Sequence, residues 1–228
     1  KLAANMSMRE KAILTGLCII LAISLAMSVS GYINRNSTLV PQEGGTYTEA
    51  MVGQPRYLNP ILASSSDIDL DITRVIYSSL FRLDTNLALQ NDLADNVEIS
   101  NDGKIYTIHM RNDALWHDGK PVTAEDVLFT IRSIQTPEYS SPLASAFQGV
   151  VVEKVDDYTI RFTLQKTPYA PFLSSLTVGI VPKHVWENVP PRNAGLAEQE
   201  LKPVGSGPFK FKELITKSKI KFAVLLTL

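Results

Sequence analysis

Apolar and polar positions follow two regimes along this chain. From Ala12 to Ile33 no residue is charged, and no polar stripe interrupts the run, as an amphipathic soluble helix would require. After Asn34 the apolar residues become periodic. Ile68, Ile72, Val75, Ile76 and Leu80 recur at helical spacing and predict a helix over Ser66 to Leu80, opened by a Ser66/Asp69 capping box. Tyr106, Ile108 and Met110 alternate with Thr107, His109 and Arg111, the pattern of a half-buried strand. The turn signal Asn101-Asp102-Gly103 just before it predicts a hairpin. Thr123 and Asp126 form a second capping box after Pro121, and Val127, Leu128, Ile131 and Ile134 supply the apolar face of the helix that follows. Val150 to Val155 and Tyr158 to Leu164 flank Asp156-Asp157 and predict a second hairpin. Thr46 to Met51 reads as a first strand. Pro171 to Leu176 and Pro182 to Glu187 read as short helices led by proline, Asn188 to Lys202 as a polar loop, and Phe209 to Phe211 as a returning strand. Strands and helices mix without strict βαβ alternation, which predicts a mixed α/β (α+β) fold built on a mixed sheet.

The uncharged run is long enough to cross a bilayer. Twenty-two helical residues at 1.5 Å each span about 33 Å, against roughly 30 Å of hydrocarbon. A secretory signal is the other reading, with Ser28-Val29-Ser30 as a small-x-small cleavage site. Lys1, Arg9 and Lys11 precede the run and only Arg35 closely follows it, which puts residues 1–11 in the cytoplasm, 12–33 in the membrane and the remainder outside. Residues 34–45, rich in Asn, Ser, Thr, Pro and Gly, read as a linker. Cys18 follows Leu17 within the apolar run, so it reads as an apolar residue of the span and not as a lipidation site.

A net charge of −1 and the lack of a basic cluster give no footprint for nucleic acid. The three histidines, His109, His117 and His184, show no i, i+4 metal spacing and read as surface or capping residues. No Gly-x-Ser-x-Gly elbow occurs. Gly205-Ser206-Gly207-Pro208 lacks the lysine of a phosphate loop and reads as a tight crossing before a strand. Trp116 reads as a core aromatic beside a turn. Nothing in the pattern calls for an enzyme or a cofactor.

Several phrases, in order, resemble the family-5 solute-binding proteins of ABC importers, the dipeptide, oligopeptide and nickel binders. These are Gln54 to Ala63, Tyr77 to Phe81, Leu93 to Asp95, the long run Tyr106 to Val127, Val181 to His184 and Gly205 to Phe209. The resemblance implies that residues 46–211 form part of the N-terminal lobe of a two-lobed periplasmic-binding-protein fold. It implies a peptide ligand gripped mainly through its backbone, permease subunits as partners, and a membrane tether. It also places Ser64, Ser65 and Ser66 at the ligand as backbone donors and acceptors, although the same serines read equally as a helix N-cap loop. Leu143, after Ser141-Pro142, stands where the oligopeptide binders often carry a ligand-facing tyrosine. Asn59 stands where the family commonly has an acidic residue. A receptor or signalling module on the same scaffold is the alternative function.

The resemblance fades after Phe211. Residues 212–228 read as an atypical tail, and family members are about twice as long. A truncated or frameshifted reading accounts for both, with the expectation that half a cleft binds peptide weakly.

Overall fold

The computed structural model describes residues 8–36, 54–63, 66–165, 171–216 and 219–224. The predicted strand Thr46 to Met51 lies outside them. The chain divides into two units, Lys1–Gly44 and Gly45–Leu228. The first holds one helix, α1 (Met8–Asn36), which extends beyond the uncharged run at both ends. Within it, Lys11–Tyr32 is long and apolar enough to cross a membrane.

In the second unit the elements run α2 (Asp67–Ile76), β1 (Phe81–Leu83), β2 (Leu89–Asn91), β3 (Ala94–Ile99), β4 (Ile105–Met110), α3 (Ala124–Gln135), β5 (Val150–Asp156), β6 (Thr159–Leu164), α4 (Phe172–Ser175), α5 (Lys183–Trp186), α6 (Glu198–Leu201), β7 (Phe209–Thr216) and β8 (Lys219–Val224). Both predicted hairpins form, β3–β4 and β5–β6. They join through their second strands into one sheet ordered β3-β4-β6-β5. Every pairing among the described strands is antiparallel, so the expected mixed sheet is corrected. No described crossover returns a strand in parallel, because α3 leads from β4 to a hairpin whose far strand docks backwards on β4.

One face of that sheet is the core. Tyr106, Ile108 and Met110 of β4 are buried with Ile160, Phe162 and Leu164 of β6 and Val150 and Val152 of β5. Tyr106 lies directly opposite Phe162. Phe172 of α4 tilts against both rings, with centroid separations of 5.0 and 5.6 Å. Such aromatic pairs contribute about 0.5–1.5 kcal/mol beyond the area they bury. α3 covers the same core with Val127, Ile131 and Ile134, all fully buried. Its capping box is complete, as the Thr123/Asp126 spacing predicts.

Two helical expectations change. α2 stops at Ile76, four residues short of Leu80, because Tyr77 turns to extended backbone and Ser79 forms a bridge with Gly179. The Ser66/Asp69 box is half formed. Ser66 Oγ accepts from Asp69 N at 3.5 Å, but the Asp69 carboxylate does not return to Ser66. The supposed loop Asn188 to Lys202 contains a 3-10 helix (Pro191–Leu196) and α6, with Ala194 and Glu200 buried. The returning strand extends past Phe211 to Thr216 and pairs antiparallel with β8.

Candidate functional site

Segment 56–63 pairs with no strand among the described residues, yet every backbone N–H in it has a partner. Arg56 and Tyr57 donate to the two carboxylate oxygens of Asp69, at 2.8 and 3.2 Å. Leu58 and Asn59 both donate to Oε1 of Glu200, the second at 2.9 Å. Pro60 has no N–H. Ile61 donates to the side-chain Oδ1 of Asn59 at 2.9 Å. Leu62 and Ala63 donate to the Asn59 carbonyl, both at 3.0 Å. Four successive donors thus rest on two carboxylates from α2 and α6, and the next three rest on Asn59. A buried backbone without such partners would cost about 1–3 kcal/mol for each unmet group.

This explains the half-formed capping box. The Asp69 carboxylate sits 0% exposed beneath the segment and is engaged there. α6 carries Glu200 to the segment from 141 residues away.

The segment leads into Ser64 and Ser65, which lie outside the described residues, and then into Ser66. Ser66 donates its N–H to Ala63 O at 3.3 Å, and its carbonyl accepts from Leu70 N at 2.9 Å. Its backbone is therefore engaged within the fold, and its hydroxyl proton is what it has left to offer. Leu143 is half-buried and packs against the core. Its N–H donates to Ser141 Oγ at 3.3 Å. Ser141 Oγ in turn donates to the Ile61 carbonyl at 2.6 Å, across 80 residues of sequence. A single buried serine therefore ties the Leu143 turn to the loop that feeds the three serines.

The electrostatics of the segment are unusual. Burial pushes the Glu200 carboxyl up to about 7, with the charge of Asp69 adding to the rise and the Leu58 and Asn59 amides opposing it. Burial, and then the charge of Glu200, raise the Tyr77 phenol well above its ordinary value. Oε2 of Glu200, Nδ2 of Asn59 and the Tyr77 hydroxyl are buried without a hydrogen-bond partner.

The predicted crossing is pinned by His117. His117 Nδ1 accepts from Gly205 N at 3.3 Å, and Nε2 lies 2.9 Å from the Gly207 carbonyl. That pair of contacts selects the neutral tautomer with the proton on Nε2. Burial lowers the His117 pKa. A Cβ on Gly205 would lie 1.9 Å from the Ile76 carbonyl oxygen, so the chain leading into β7 passes the end of α2 at backbone contact. His184 meets Asp118 at 2.7 Å, and His109 lies 3.7 Å from Glu98 on the exposed sheet face. No group of three or more His, Cys, Asp or Glu among the described residues has metal-binding geometry. Trp116 is buried, as expected, and donates to Asp126 at 3.4 Å.

A separate open groove of about 580 Å³ is lined by Asp92, Asp95, Met110, Arg111 and Asp113, among others. Three of its charges are engaged with protein: Arg111 grips Asp113 bidentately at 2.6 and 2.8 Å, and Asp92 accepts from Ser79 N at 2.9 Å.

Sequence patterns did not reveal Asp69 as a loop support, nor Glu200 or Ser141. Each acts on a partner 12 to 142 residues away, and only the half-use of the Ser66/Asp69 spacing had a local signal.

Residues 88–224 match the family described as "Bacterial extracellular solute-binding proteins, family 5 Middle". The chain is 33% identical over 216 residues to the oligopeptide-binding protein AppA of Bacillus subtilis, covering 90% of this chain and 39% of that protein. The structure of that protein in complex with a nonapeptide superposes with a TM-score of 0.75 at 32% identity, covering 82% of this chain and 37% of the other. NikZ of Campylobacter jejuni, in complex with Ni(L-His), gives a TM-score of 0.70 at 33% identity over 77% of this chain and 34% of that one. OppA of Haemophilus influenzae, in complex with RPPGFSPFR, gives 0.66 at 26% identity over 75% and 36%. The chain spans less than two-fifths of the length of these relatives.

Proposed function

Because this chain belongs to the bacterial extracellular solute-binding proteins of family 5, we propose that it serves an ABC importer by capturing peptides outside the cytoplasmic membrane. In this reading α1 is the membrane tether or the signal segment, and the N-terminus lies in the cytoplasm. Residues 46–211 contribute to the binding lobe, and permease subunits receive the ligand. Ser64, Ser65, Ser66 and Leu143 lie at the ligand.

The observation that carries this reading is the Ser141–Ile61 bond. It ties the Leu143 turn to the segment that leads into the three serines, and two buried carboxylates, Asp69 and Glu200, hold that segment from behind. A loop with its own N–H groups satisfied from below is pre-organised, which lowers the ordering cost of binding a flexible peptide. Peptides bound through their backbone tolerate many side chains, in keeping with peptide complexes of different relatives. A metal–amino acid chelate is the second reading, favoured by the likeness to the Ni(L-His) complex.

The test uses the full chain in detergent micelles and RPPGFSPFR carrying a photoreactive benzoylphenylalanine. Cross-links should map to residues 54–66 and 141–147 and be competed by unmodified peptide, not by Ni(L-His). Competition by Ni(L-His) alone would favour the chelate. Cross-links that no ligand displaces, or that map elsewhere, would refute the assigned site.

A further inference from the structure

We propose that Glu200 is a positioning residue for the ligand-facing loop, setting peptide affinity through the Leu58 and Asn59 amides it holds. This rests on the peptide reading of residues 61–66 given above. The geometry is specific. Glu200 is 4% exposed, stands on a four-residue helix, and directs one oxygen at two successive amides of a loop 141 residues earlier in the chain. That loop supplies the Ile61 carbonyl to Ser141, so a shift at 58–59 moves both ligand-facing segments together. Asp69 holds the neighbouring pair of amides. Its anchorage is independent of α6, so loss of Glu200 loosens one end of the loop without freeing the whole.

The carboxylate is also poised to change charge. Its pKa of about 7, raised mainly by burial, means that it ionises within the range met outside a cell. An ionised carboxylate accepts a hydrogen bond from an amide about twice as strongly as a neutral acceptor does. Asp69 and Tyr77 are the titratable groups coupled to it. Glu198 and Lys202 of its own helix pair with each other at 2.6 Å. Burial outweighs the stronger bond of the ionised form, since the net shift is upward, so the closed loop is held more firmly below neutrality than above it.

Two measurements on the full chain in micelles test this. The first needs no ligand: amide hydrogen exchange across residues 56–63, corrected for the intrinsic rate at each pH. Wild type should be protected more at pH 6 than at pH 8, Glu200→Ala should exchange at least tenfold faster there, and Glu200→Gln should match the pH 6 wild type at both pH values. The second is the RPPGFSPFR concentration giving half-maximal competition in the cross-linking assay. Wild type should bind about threefold tighter at pH 6 than at pH 8, Glu200→Gln should be flat at the low-pH level, and Glu200→Ala should be weakest, by roughly tenfold, a loss of about 1.4 kcal/mol. Unchanged exchange in Glu200→Ala overturns the proposal. So does faster exchange with unchanged affinity, or a shared pH profile for wild type and Glu200→Gln. A wild type whose loop exchange behaves as described but which no peptide protects from cross-linking overturns the peptide reading, and the role of Glu200 in ligand affinity falls with it.

Discussion

Replacing Asp126 with alanine removes one acceptor group from four donors. Its carboxylate accepts from Thr123 N at 2.9 Å and Thr123 Oγ1 at 3.3 Å, which closes the α3 capping box. It also accepts from Lys183 N at 2.8 Å and Trp116 Nε1 at 3.4 Å. The residue is 5% exposed, so water cannot readily replace it. Losing the cap costs about 1 kcal/mol. Leaving the Lys183 amide and the Trp116 indole unmet adds about 1–3 kcal/mol each, with the longer Trp116 bond at the low end. The sum is about 3–5 kcal/mol, a large share of a total stability of about 5–15 kcal/mol. Glu125 is the control. It stands next in sequence and pairs with Lys183 at 2.8 Å and Lys154 at 3.9 Å, but its side chain is 38% exposed. Exposed pairs of that kind contribute about 0–1 kcal/mol. Urea unfolding of the full chain in micelles, followed by tryptophan fluorescence, separates the two. With a slope of about 2 kcal/mol/M, Asp126→Ala should lower the midpoint by about 2 M and Glu125→Ala by no more than about 0.5 M. Equal shifts for both variants would refute the reasoning, because they would mean that Asp126 does not join Trp116 and Thr123 to residue 183.

Two further outcomes follow from the crossing at residues 205–207. Gly205→Ala places a Cβ against backbone atoms of Ile76 that cannot rotate away; the variant should lose at least about 3 kcal/mol in the same urea titration, and an unchanged midpoint contradicts the close approach. His117, with its pKa lowered from 6.5 by burial, takes up a proton in the unfolded chain before it does in the folded one. Stability from this residue is therefore present above about pH 6.5 and lost as pH falls, whereas Glu200, shifted upward, gives up stability as pH rises from 4.5 to about 7. Subtracting the His117→Gln profile from wild type between pH 7.5 and 5.5 should isolate a positive slope with pH, and a flat difference would refute the pinned neutral tautomer.

Local patterns carried a large part of this protein. The uncharged run from Ala12 to Ile33, the alternation at 106–110 and 158–164, and the Thr123/Asp126 spacing each specify an element through interactions within a few residues, and α1, both hairpins and α3 form accordingly. Alternation also fixed which side chains enter the core, because a strand has only two faces. Pairing between the hairpins was not legible, since nothing in β4 or β6 alone says that they meet as Tyr106 opposite Phe162. Helix length was overestimated at α2 because the apolar spacing continues to Leu80, while the Gly205 crossing and the Ser79–Gly179 bridge need Tyr77 to Leu80 extended. The candidate site is the extreme case. Ser64, Ser65, Ser66 and Leu143 are candidates by resemblance alone, and what ties the segment leading to Ser66 to the Leu143 turn is a set of side-chain to backbone bonds spanning 12 to 142 residues. Such bonds leave no period in the sequence, because a carboxylate accepts from any amide brought to it. Only the packing of α2, α6 and the Ser141 turn around segment 56–63 decided which amides those would be.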